Sequence, residues 1–244
     1  GAGAQLSRCR AWRLVSDTPA LTRVTWPKAY RLIRSIYPPI DLFEDIADPR
    51  DWEALASAES KTNPRLWGHL GRLDLVPPER RVSGPGASYL MAPFVHVIHD
   101  RPGRFTDGGY GVYSAGNAEE VAIREVAYHH GRAMAASAEA PGWTSQFRML
   151  VNRLDLDLHD ARPFDRFHDP NDYKEPQELG RQLRRAGSNG IVYRSVRHAE
   201  GECAAIFWPN LIPMPVQADH FDYHWDGEKV DRIRNCGTGA IFGL

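Results

Sequence analysis

The chain has 244 residues, 42% of them hydrophobic and 25% charged, with a formal net charge of -1. That balance describes an ordinary soluble globular protein able to bury a real core, and it argues against a direct nucleic-acid role, which favours a basic surplus. Only four of the 30 basic residues are lysines (Lys28, Lys61, Lys174 and Lys229), so Arg80-Arg81 and Arg184-Arg185 read as solvated faces of an arginine-rich chain rather than a binding patch. Cys9, Cys203 and Cys236 are far apart and form no CxxC pair, which fits a reducing cytosol. No signal-peptide pattern and no apolar run of membrane-spanning length is present, so a cytoplasmic protein without a membrane role is expected.

In chain order, Ala11 to Val15 reads as a first strand. Thr25-Trp26-Pro27 reads as a helix start, with proline where the first turn tolerates it, and Tyr30, Ile33 and Tyr37 follow at helical spacing. Pro38-Pro39 ends that element. Asp48-Pro49 and Asn63-Pro64 repeat the cap-then-proline signal, so residues 25-75 are predicted as a helical insertion near the N-terminus. Pro77-Pro78 and Ser83-Gly84-Pro85-Gly86 mark its exit. Tyr89 to Ile98 is predicted as an apolar strand, Gly103 to Gly111 as a glycine-rich loop, and Gly111 to Ala115 as a short strand. Asn117 and Glu120 have capping-box spacing ahead of a helix reaching about Ala136. Phe147 to Leu158 alternates as a strand, with Leu154, Leu156 and Leu158 on one face. A helix near Pro176 carries Leu179 and Leu183, and strands follow at Gly190 to Val196 and Ala204 to Trp208. Phe221 to Trp225 and Val230 to Ile233 flank Asp226-Gly227, a tight-turn pair. The expected fold class is α+β, with one domain over 1-244.

Glu125 lies on the helix after the short strand, close to its apolar face, where a charge needs partners or a cavity. From the pattern alone, a solvated glutamate paired with Arg124, Arg132 or His129 is the simpler reading. Arg104 sits on the glycine-flanked loop, where its planar fork suits a phosphate and the glycines permit close backbone approach. A tyrosine on a strand such as Tyr113 is usually core; the alternative is a ring stacked on a ligand, shared with Tyr110 and Phe105. Ser195 lacks a G-x-S-x-G elbow, so a hydrolase nucleophile is not indicated, and Arg197 offers a second phosphate contact. His96/His99, His129-His130 and His220/His224 carry no H-E-x-x-H pattern, and no metal site is expected. The absence of Gly-x-Gly-x-x-Gly after the first strand gives no support to a Rossmann fold.

The ordered set Arg13-Leu14, Gly103-Arg104-Phe105, Gly111-Val112-Tyr113, the Glu125 helix and Tyr193-Arg194-Ser195-Val196-Arg197 resembles the RES-domain family. These are toxins of bacterial toxin–antitoxin pairs, of the Xre–RES or ParT-like kind. Thr106 stands where an asparagine often follows the Gly-Arg-Phe motif. The resemblance implies a fold similar to the ADP-ribosyltransferase toxins, with NAD as substrate. Inorganic phosphate is then the co-substrate of an NAD phosphorylase, or a cellular protein the acceptor of a mono-ADP-ribosyltransferase; a non-catalytic NAD- or partner-binding module is the distant alternative. It further implies catalytic Glu125 and Arg104, NAD contacts from Arg104, Tyr113, Ser195, Phe105, Tyr110 and Arg197, and an antitoxin with a DNA-binding domain covering the active site. Under this reading Glu125 belongs to the site rather than to a solvated face.

Overall fold

The structure, a computed structural model, describes residues 18–244 except 45–47, 62–67, 69, 100–101 and 138. The predicted strand at Ala11 to Val15, with its Arg13-Leu14, and Cys9 therefore lie outside the described residues. The strands are β1 Leu21–Arg34, β2 Tyr113–Gly116, β3 Thr144–Asp160, β4 Gly190–Arg194, β5 Glu202–Ile206, β6 Val216–Trp225, β7 Val230–Asn235 and β8 Ile241–Gly243. The helices are α1 Asp41–Glu44, α2 Trp52–Glu59, α3 Ala87–Val95, α4 Glu119–Ser137 and α5 Lys174–Arg185.

The sheet runs β1-β2-β5-β4-β3-β6-β7-β8, and β1 also pairs with β3, so the first five strands close on themselves. The long antiparallel pairing of β1 with β3, from Leu21 opposite His159 to Arg34 opposite Phe147, is the spine. Among the described residues, the one parallel strand pairing joins β3 to β4. Strand alternation sends Val192 to one face, where Phe43, Trp52, Leu90 and Phe94 of α1–α3 form a core with Leu154 and Leu158. It sends Ile191 and Tyr193 to the other, against Leu179 and Leu183 of α5. On α4, Ala122, Ile123 and Ala127 pack with Leu32, Phe147 and Tyr223. No helix among the described residues is long and apolar enough to cross a membrane.

Two elements differ from the sequence expectation. Residues 21–34 form a strand, not the start of a helix. Both faces of its second half are covered, with Ala29 in one core and Leu32 in another, so the alternation that marks a half-exposed strand is absent. Pro27 lies at the register shift between Trp26 and Ala29, where no ladder donor is required. Helical structure in the 25-75 block thus begins at α1. Conversely, Tyr89 to Val95 of the segment expected as a strand belong to the helix α3. Six of its residues, Leu90 and Phe94 among them, are buried, and so extensive an apolar surface hides the helical period. The Glu44 carboxylate accepts the N–H groups of Gly86 (2.5 Å) and Ser88 (2.9 Å), closing the N-terminus of α3 with a favourable negative charge. The capping box at Asn117 is also replaced: Asn117 Oδ1 accepts the N–H of Glu202 at 3.0 Å, and Glu120 pairs instead with Arg124 at 2.8 Å. The β6–β7 hairpin forms as expected, with Asp226 Oδ1 accepting the N–H groups of Glu228 and Lys229, both at 2.8 Å.

Arg81 and Arg184 are structural rather than solvated. The Arg81 side chain is 2% exposed; it donates to Glu53 (2.5 and 2.8 Å) and to the carbonyls of Val76, Pro49 and Leu73. Arg184 donates to Leu75 O at 2.9 Å and lies 4.4 Å over the Trp208 ring. Removing Arg81 takes a donor from three carbonyls, two of them buried, and from the Glu53 carboxylate. Arg81→Ala is expected to lose about 3 kcal/mol of unfolding free energy, whereas the same change at exposed Arg185 costs within about 0.5 kcal/mol; urea denaturation of both variants checks this.

Candidate active site

The loop after α3 turns sharply at Gly103, whose N–H bonds Thr106 O at 2.9 Å, and presents Arg104 at the bend. Two glycines let its surroundings press on it. A Cβ at Gly111 would stand 2.1 Å from Pro93 O, and one at Gly180 would stand 2.3 Å from Phe105 O. Arg104 is 8% exposed. Its Nη1 donates to Phe167 O (2.9 Å) and Asp169 O (2.7 Å), and its guanidinium lies 4.5 Å over the ring of Tyr173 at the start of α5. Neutral carbonyls, not a carboxylate, hold this cation, so its charge stays available.

Glu125 projects from α4 into the same cleft, its side chain 19% exposed. Ser195 Oγ donates to Glu125 Oε1 at 2.6 Å and accepts the N–H groups of Arg197 (3.2 Å) and His198 (3.1 Å). With its lone pairs so engaged, the single hydroxyl proton is directed at the glutamate. Cys203 Sγ approaches the same carboxylate oxygen at 3.8 Å, and burial pushes this thiol's pKa well up, keeping it protonated. His129 Nε2 lies 4.0 Å from Glu125 Oε2. Burial, together with Arg197, Arg132 and Arg104, holds its pKa below the ordinary histidine value against the pull of Glu125. At pH 7 this is a contact with a neutral imidazole rather than an ion pair. Three guanidiniums therefore bear on the neighbourhood of one carboxylate.

The sequence-predicted residues divide. Arg104, Glu125, Ser195 and Arg197 come together. Arg197 is pinned by Pro170 O at 2.6 Å and packs against the Tyr128 ring. Tyr113, Phe105 and Tyr110 do not offer a stacking surface. Tyr113 is fully buried in the core shared with α3; its hydroxyl has no hydrogen-bond partner among the described residues, and burial lifts its pKa to about 12. Phe105 is 2% exposed and Tyr110 7%, with the Tyr110 hydroxyl donating to Phe105 O at 2.6 Å. Among the rings that line the cleft, Tyr173 lies under the Arg104 guanidinium, and Tyr193, itself largely buried, is edge-on to Phe105 at 4.8 Å and near both Glu125 and Arg104. Sequence reading also passed over Arg31 on β1. It lies 4.8 Å over the Tyr113 ring and donates to Ser114 O at 2.9 Å, while burial lowers its pKa. Among the described residues, no three His, Cys, Asp or Glu side chains gather as a metal site.

The RES domain matches residues 78–226, which include Arg104, Glu125 and Ser195. The chain belongs to the RES-domain family. β1, α1 and α2 precede the matched RES segment. A Sinorhizobium fredii protein described as uncharacterized protein y4oC is 26% identical over 208 residues, covering 84% of this chain and 85% of its own. The crystal structure of the M. tuberculosis MbcT–MbcA toxin–antitoxin complex matches with a TM-score of 0.42 at 10% identity, over 81% of this chain and 86% of that one.

The Ser195 arrangement makes a stability prediction. Ser195→Ala strands two N–H groups and one carboxylate oxygen and is expected to cost about 1–2 kcal/mol. Glu125→Gln keeps an acceptor for the serine and is expected to cost less than about 1 kcal/mol. Denaturant titration of both decides; a Ser195→Ala variant as stable as wild type contradicts the geometry.

Proposed function

We propose that this RES domain binds NAD in the Arg104–Glu125 cleft, cleaves the nicotinamide–ribose bond and passes ADP-ribose to inorganic phosphate. The observation that carries the reading is one carboxylate, oriented by Ser195, in a cleft surrounded by guanidiniums that it does not neutralise. A dinucleotide supplies what such a cleft complements: a pyrophosphate for the cations, and a sugar that becomes positive as its bond breaks, for the carboxylate.

Ordinary glycosidases need two carboxylates, one of them to protonate the leaving group. Nicotinamide in NAD is already cationic and departs neutral, so a single carboxylate suffices. A phosphate oxygen supplies the pair for the new bond to the anomeric carbon. The pair of the carbon–nitrogen bond leaves with nicotinamide and cancels the ring charge. Arg104 grips the pyrophosphate and fixes the sugar's position; Glu125 faces the charge developing on the sugar. Ser195 acts through Glu125 by holding it, rather than by touching nicotinamide. Family membership supports the wider reading of a toxin silenced by a partner that covers this cleft; the likeness of RES domains to ADP-ribosyltransferases belongs to the same reading.

Purified protein is expected to deplete NAD in a phosphate-dependent way, giving ADP-ribose phosphate by mass, and Glu125→Gln to lower the rate by at least about a thousandfold. Phosphate-independent loss with label on a protein would replace phosphate by a protein acceptor. Undiminished activity of Glu125→Gln would sink the assignment.

A further inference from the structure

Among the contacts that join the two halves of the cleft, Arg194 to Asp165 and Arg197 to Pro170 O included, one comes from a titratable imidazole that the reaction scheme does not use. Beyond residue 192, β4 no longer pairs with β3, and the N–H of Arg194 is taken instead by His168 Nε2 at 3.0 Å. Because Nε2 accepts, the imidazole proton sits on Nδ1, facing Phe164 O at 2.9 Å. His168 lies in the middle of the segment whose carbonyls do the holding: Phe167 O and Asp169 O grip Arg104, and Pro170 O grips Arg197. Arg194 immediately precedes Ser195, which orients Glu125. The imidazole thus ties the arginine side of the cleft to the glutamate side.

We propose that His168 is a positioning residue which, as a neutral imidazole, fixes the Arg104-holding segment against the strand end that carries Ser195, and releases it when protonated. A second proton would sit on Nε2 and point at the Arg194 N–H, replacing a hydrogen bond by donor–donor repulsion. The charged groups around the ring act in the same direction on balance. Partial burial, followed by Arg194 and Arg104, disfavours the imidazolium and outweighs the Phe164 carbonyl and exposed Asp165, which favour it; Arg166, Asp169, Asp172 and Glu175 line the hollow outside. The folded protein therefore favours neutral His168. The brace is present at neutral pH and is lost as pH falls below the ordinary histidine range.

The substrate side of this inference rests on the NAD reading above, so the test has one arm that needs no NAD. In 15N-labelled protein, the Arg104 Nε–H and Arg194 amide resonances are expected to move together with the His168 titration in wild type, and to lose that titration in His168→Gln. Gln Oε1 can accept from the Arg194 N–H but does not titrate. Arg104 resonances indifferent to His168 protonation would overturn the proposal. In the second arm, His168→Ala is expected to raise KM for NAD about tenfold with kcat within about threefold, the loss of roughly one aligned hydrogen bond. His168→Gln restores KM at pH 7 and abolishes its rise between pH 7 and 5.5. A His168→Ala KM equal to wild type, or a His168→Gln variant that keeps the acid rise, also overturns it. A wild type inert toward NAD defeats the NAD reading alone, and the resonances still decide the brace.

Discussion

A cleft that must bind an anion and also stabilise a growing positive charge has to hold a cation and a carboxylate close together without letting them neutralise each other. Arg104 and Glu125 meet that constraint by having separate custodians. Two main-chain carbonyls and a tyrosine face hold the guanidinium. A serine hydroxyl, itself fixed by two amides, holds the carboxylate. Both custodians are neutral. Each ion keeps its charge and loses only its freedom to move, which is the preorganisation a polar active site requires.

Much of the fold serves that separation. The spine of β1 and β3 closes the five-strand circuit, and β4 and β5, paired within it, carry Tyr193 and Cys203 to the cleft that Glu125 enters. The passage of Gly111 under Pro93 and of Gly180 against Phe105 lets the Arg104 turn sit between α3 and α5. The segment 164–170 then supplies carbonyls to two arginines, with His168 fastening it to β4. Loops carry the ligand-facing groups, and rigid elements determine where the loops can be.

The sequence disclosed those parts whose local signal was undisturbed by the tertiary structure. The Glu125 helix, the long β3 strand, the β4–β5 pair and the Asp226-Gly227 hairpin show clear periodicity or turn chemistry. β1 and α3 escaped because burial on two or more sides erases the contrast from which period is read. The same limit governs the aromatic residues. Strand parity says that Tyr113 and Ser114 face opposite ways, but not which of the two leads to the cleft; it is the exposed Ser114. Tyr113 faces the α3 core, and Tyr193, quoted only as part of a motif, faces Glu125. His168 and Arg31 had no local signal of function, since their roles lie in contacts with distant segments.

Calorimetric titration of NAD into the catalytically disabled Glu125→Gln protein, with and without a second change Arg104→Ala, tests the separation of roles most directly. The account predicts measurable binding to Glu125→Gln and at least about a tenfold weakening on loss of Arg104, since the cation grips the substrate and the carboxylate acts on it later. Equal NAD affinity with and without Arg104, in folded proteins, would contradict it.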